Sequence, residues 1–405
     1  MSIVQHFKAS LRFNSTIYPS AARETHDSSQ PASLTVDDEQ GSRGPLELVI
    51  ATMTWSKFRG ITMGDTSRNY EQGYRSALTR DDKQLFRRQY CEKSVWKGIS
   101  LTFVNLSAIY AAITAGYAAL RLLDTPIIAA IITLLSLIVV TRQMRALENI
   151  VHFGSHNNFC TDKVFNDRMT NLLAAWPMLQ DVMQYRIFHS AHHGDFGAHG
   201  DPCKERLERI GASGLEINSN GQLIYAILVW MPSYVREFYN EVKSSSRQLA
   251  IFLTWHASVL AGLTAFGSWQ FAAYTALVWS ASMFLILPFL RSIAEFSEHD
   301  YQRGDTVRET TFNNLGLLDH ALLHPAGDAW HALHHLHPTV PWWKQGSAHR
   351  FLMAKDEAYR QVQHRDHLIQ NIAHFPVAAN GVPAGNDSSH SKTTYPSGMV
   401  PTAAE

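Results

Sequence analysis

Cysteine is scarce in this chain: Cys91, Cys160 and Cys203 are the only three in 405 residues, widely spaced and without a CxxC pair. That excludes a disulfide scaffold and fits a reducing compartment. An excess of one charge sign is lacking as well. The 35 basic and 35 acidic residues cancel, which leaves no basic field to recruit nucleic acid. Residues 1–45 do not have a charged start followed by an apolar core. No secretory signal is read there, and the N-terminus is expected in the cytosol.

Hydrophobic runs, by contrast, are present and paired. Residues 98–120 carry no charge and are long enough for a membrane helix. Residues 126–141 are shorter, about 24 Å of helix, and need their flanks to span. Only residues 121–125 separate the two, which predicts a helical hairpin. A second pair, 249–266 and 270–290, is joined by Gly267, Ser268 and Trp269. The segment 221–234 is also apolar, but Pro232, Arg236 and Glu237 make it interfacial. Arg87, Arg88, Lys93 and Lys97 precede the first pair, Arg142 and Arg145 follow it, and Arg291 follows the second. The positive-inside rule then puts both termini and the long polar segments in the cytosol. The expected fold is all-α: a multi-pass membrane helical bundle of four transmembrane helices in two hairpins, with a cytosolic helical cap. A soluble bundle with a very apolar core is the alternative, since mean hydropathy is only −0.15. Residues 1–45 and 376–405 are too polar to pack and read as disordered tails. They flank a cytosolic or interfacial segment, 46–97, and the membrane domain, 98–375.

Histidine is the abundant residue, 21 in all and clustered. His152 and His156 lie in HFGSH, His189, His192 and His193 in HSAHH, and His331, His334 and His335 in HALHH. Residues three and four apart share a helix face, so each group is expected to point its imidazoles in one direction. His152 lies about 16 Å past the apolar end at Thr141, and His299 about 14 Å past Leu290, at 1.5 Å per residue. Ligands from both hairpins can thus meet at one level outside the membrane. Nine candidate nitrogens exceed what one tetrahedral zinc uses, so the count suits two ions. Imidazole suits iron, zinc, copper or nickel alike. The zinc-protease HExxH is absent, because HFGSH has Phe153 and Gly154 where the glutamate would stand. The ExxH motifs of soluble di-iron proteins are absent at these boxes too.

HxxxH, HxxHH and HxxHH, in that order around two apolar hairpins, resemble the membrane fatty-acid desaturase/hydroxylase family. The runs RSIAEFSEHDY, RETTFNN and GDAWHALHHLHPTVPWW are similar to its bacterial C-terminal half, and the resemblance covers roughly residues 90–355. It implies two iron ions (Fe2+/Fe3+), with O2 as co-substrate, that take hydrogen from an unactivated C–H bond. The metal ligands it implies are His152, His156, His189, His192, His193, His299, His331, His334 and His335. Many relatives carry an acid directly after the first histidine, where this chain has Phe153. No HPGG-type haem segment is present. The electrons are therefore expected from a separate ferredoxin or cytochrome b5-like protein with its reductase.

Metal-bound imidazoles usually pass their second N–H to a carboxylate or carbonyl. Asp201, Glu295 and Asp328 are the candidates, although Asp201-Pro202 can simply start a turn and Glu295 can pair with Arg291 one turn away. Arg186 reads as a surface arginine, or as a holder of an acidic group. His199, His320, His324, His337 and His349 complete no repeat, and His324 leads among them as an extra ligand. His256 reads as a satisfied core histidine, and Trp342 and Trp343 as interfacial anchors. The expected activity is O2-dependent desaturation of a fatty-acyl or related alkyl chain that enters from the membrane. Hydroxylation of a lipid or lipid-like metabolite by the same centre is the alternative, and a membrane zinc hydrolase or metal carrier a remote one. The bacterial inner membrane and the endoplasmic reticulum both fit.

Overall fold

A computed structural model describes residues 73–365, except 199, 213–219, 244, 302 and 305. The proposed tails (1–45 and 376–405), most of the segment 46–97 and His199 lie outside the described residues.

Four long apolar helices dominate: Val95–Leu122, Pro126–Ser155, Ser246–Phe266 and Trp269–Glu298. The shortest has 21 residues, about 31 Å, which is enough to cross a hydrocarbon core. Their starts follow from the local sequence. Ser94, Ser245 and Ser268 each accept a bond from a backbone N–H in the first turn, and Pro126 occupies a first-turn position where no N–H is missed. The first two helices pack along each other, as do the last two. All four extend past the apolar runs seen in the sequence, the second by fourteen residues beyond Thr141. That extension carries His152 on a continuous helix. Asn157, with φ of +58°, ends it, a left-handed conformation that asparagine tolerates better than most residues.

The outer faces of these helices are apolar and uncovered: Leu122, Ile127, Phe266 and Leu285 are each more than 70% exposed. Surface of that kind suits hydrocarbon rather than water, so the soluble-bundle alternative does not hold. The segment 221–234 lies within the helix Asn220–Lys243, which has Pro232 inside it and is not among the candidate spans.

Beyond the spans, the regular structure among the described residues is helical apart from one bridge, His299 with Thr311, and one small sheet. Phe312–Asn314 and Gln363–Arg365 pair as a two-stranded parallel sheet, Asn313 opposite His364. The all-α expectation is corrected to that extent. The strand has a purpose at the third box: Asn313 Oδ1 accepts from Leu333 N at 3.1 Å, and Asn314 N donates to Ala329 O at 2.7 Å. The helix His331–Leu336 is thereby pinned to the sheet.

Candidate metal centre

Helix geometry sorts the histidines differently from the sequence grouping. The nine candidates form two sets, each with ligand atoms within 4.8 Å of one another. His152, His156, His189, His193 and His334 form the first, and His192, His299, His331 and His335 the second. Only the first box points as one group. The other two divide because residues three and four apart, though on one side of a helix, differ by about 100° in direction. His189 and His193 go to the first set and His192 to the second; His331 and His335 go to the second set and His334 to the first.

Within each set the Nε2 atoms converge. In the first, His152–His334 is 2.7 Å, His189–His193 2.9 Å and His193–His334 3.2 Å. In the second, His299–His331 is 3.0 Å and His192–His335 3.3 Å. Nitrogens at right angles around an ion, each about 2.1 Å from it, stand about 3.0 Å apart. Lone pairs aimed at one point repel unless a cation lies between them. The Nε2 of His156 also has no hydrogen-bond partner among the described residues. Both sets therefore fit a metal ion.

Protonation agrees. Burial drives His156, His189, His193, His299, His334 and His335 well below the ordinary imidazole value, and the surrounding imidazoles push the same way. Burial also lowers His331 to about 4, against the pull of Asp328. These rings are neutral at pH 7, the form a metal needs. His192 differs. Burial opposes its charge, but Cys203 and Asp201 beside it raise it to about 10. The same groups favour any positive charge at its Nε2, a proton or a cation.

Of the three acids singled out in the sequence, two touch the cluster. Asp201 Oδ1 lies 2.8 Å from His192 Nδ1 and also caps the helix Pro202–Arg209. Asp328 Oδ1 lies 3.0 Å from His152 Nδ1. Burial would raise the Asp328 carboxyl, but the hydrogen bond from His152 and the close imidazoles of His324 and His331 outweigh it and hold the group ionised. Glu295 touches no box histidine; it pairs with Arg206 at 3.1 Å rather than with Arg291.

Other expectations also change. Arg186 is buried, not on the surface: it donates to Ser155 O, at the end of the first box, and to the Asp167 carboxylate. Trp342 is not an interfacial anchor but packs in the core against Phe153 and Phe159. His324 joins neither set, and its Nε2 meets Ser297 Oγ at 2.7 Å. His256 bonds Pro177 O, as a satisfied core histidine would. Three charged residues were missed. Arg145 and Glu148 stand seven and four positions before His152, one face of one helix, and Glu298 directly precedes His299. Arg145 reaches Glu148, Glu298 and Asp328 at 3.4, 3.2 and 3.3 Å. Helical spacing from His152 was the available signal.

A cavity of about 350 Å³ opens beside both sets, bordered by His152, His189, His192, His299 and His331.

The family model described as "Fatty acid desaturase" matches residues 125–367, more than half of the chain and all nine histidines. A dihydrorhizobitoxine desaturase of Bradyrhizobium elkanii is 25% identical over 248 residues, covering 56% of this chain and 69% of that protein.

Proposed function

The chain belongs to the fatty acid desaturase family and is a membrane oxidoreductase, and from that premise we propose that it is an O2-dependent desaturase with two iron ions. The reaction introduces a double bond into an acyl or related alkyl chain: two hydrogens leave adjacent carbons, and O2, two electrons and two protons complete the balance to two waters. Two irons would supply the activation of O2 that an unactivated C–H bond requires. The carrying observation is the division of nine imidazoles, eight buried and His193 half-buried, into two convergent sets beside one cavity.

The first set is proposed to hold one ion and the second the other. Asp328 and Asp201 receive the Nδ1 protons of His152 and His192, which fixes the tautomers and leaves Nε2 free for metal. Burial of both sets excludes bulk water from the reacting centre. The four helices are proposed to cross the membrane as two hairpins, with the histidine-bearing segments as a cap on the cytosolic side. There a separate ferredoxin or cytochrome b5-like protein would deliver the electrons.

Purified protein is expected to contain about two irons per chain and to consume O2 only with a reductase system present. His334→Ala is expected to abolish product formation in cells. One zinc and no iron, or full activity without metal, would sink this function. Product mass separates desaturation, a loss of two hydrogens, from hydroxylation, a gain of one oxygen.

A further inference from the structure

The cavity at the histidines has ion pairs set into a largely apolar wall. Its volume of about 350 Å³ equals that of roughly a dozen waters at about 30 Å³ each, which sets the size of an occupant. Small-molecule pockets are lined mostly by apolar side chains. Met178, Leu179, Phe188, Leu207 and Phe238 supply such surface here, and three ion pairs interrupt it: Arg206 with Glu295, Arg291 with Glu148, and Arg145 with Glu298. None of these six side chains is more than 25% exposed. Gln180 adds a buried amide oxygen that has no donor among the described residues.

Such a wall discriminates by charge. A methylene chain laid over the ion pairs would take water from the ionised groups and return no hydrogen bond. A ligand with one charge would capture one member of an ion pair and leave the other buried alone, which is strongly unfavourable. A zwitterion does neither: its acid group engages the arginine while its ammonium engages the carboxylate. Arg206–Glu295 is the least buried of the three pairs and the natural place for that exchange. We propose that this cavity binds a compact zwitterion of amino-acid type, on the order of a dozen heavy atoms, with its aliphatic carbons toward the histidines. This names a substrate class for the oxidation proposed above and rests on that reading.

The test uses full-length, iron-loaded protein in nanodiscs without reductase, so that binding is read apart from turnover. Calorimetric titration compares 2-aminooctanoic acid with octanoate, octylamine and palmitoyl-CoA. The zwitterion is expected to bind at least about tenfold tighter than any of the other three. Arg206→Gln and Glu295→Gln are each expected to weaken it about tenfold at unchanged iron content, and Arg206→Lys to recover part of the loss. The ranking on wild-type protein decides by itself. Any other order, including no binding of 2-aminooctanoic acid, overturns the proposal, as does undiminished binding in a variant with wild-type iron content. The oxidative function fails on a different measurement, the iron content and reductase-dependent O2 uptake of the same preparation.

Discussion

Asp328 is the residue on which the two histidine sets lean together. Its Oδ1 is 3.0 Å from the Nδ1 of His152, in the first set, and 3.7 Å from the Nδ1 of His331, in the second. Loss of a partner to a ligating imidazole typically costs about 10–100-fold in metal affinity. Asp328→Asn is therefore expected to lower affinity at both sites by that order, read as iron retained against a chelator. Glu295→Gln, whose carboxylate meets Arg206 instead, should retain iron like wild type. Equal retention in all three proteins would remove Asp328 from the centre. The contrast also marks the limit of sequence at this scale. Asp328 and Glu295 stand three and four residues before a histidine, and nothing in the spacing separates them. Arg206, 89 positions away, decides it, and only the fold brings Arg206 to Glu295. Arg186 was misjudged for the same reason, since its partners Ser155 and Asp167 come from other segments.

The two HxxHH helices each feed both sets, and their roles are mirrored. His193 follows His189 by one full turn and shares its set, while His192 turns aside to the other. Loss of His192 should thus empty one site, and loss of His193 the other. His192→Ala and His193→Ala are each expected to retain about one iron per chain, with different Mössbauer parameters, and the double variant to retain almost none. Identical spectra from the two single variants would contradict the division. The motif itself contains the split, because its second and third histidines are about 100° apart on any helix. Which member meets which partner was not legible, for that depends on how the helices Val182–Gly194 and His331–Leu336 face each other. The strand Phe312–Asn314 was invisible for a different reason: three residues are too few to show alternation.

Membrane insertion orders the whole molecule, and the apolar runs made the four helices legible while misplacing their ends. The misplacement is physical. A helix once nucleated continues through polar residues as long as its backbone bonds are made, and Pro126–Ser155 does so until Asn157 stops it. The extra turns lift His152 clear of the apolar stretch, which is what the proposed delivery of electrons from outside the lipid requires. For this arrangement, the connection after Val95–Leu122 and the segment after the first histidine box must face opposite sides of the membrane. Leu123 and Lys163 are exposed positions at these two places. In a chain with its native cysteines replaced by serine, Leu123→Cys should react with an impermeant maleimide on intact cells or sealed microsomes from one side only. Lys163→Cys should react only from the other side, after permeabilisation or inversion. Labelling of both from the same side would mean that Val95–Leu122 and Pro126–Ser155 do not place their junction across the bilayer from the histidines. The proposed place of the cluster, just beyond the lipid on one side, would then fail.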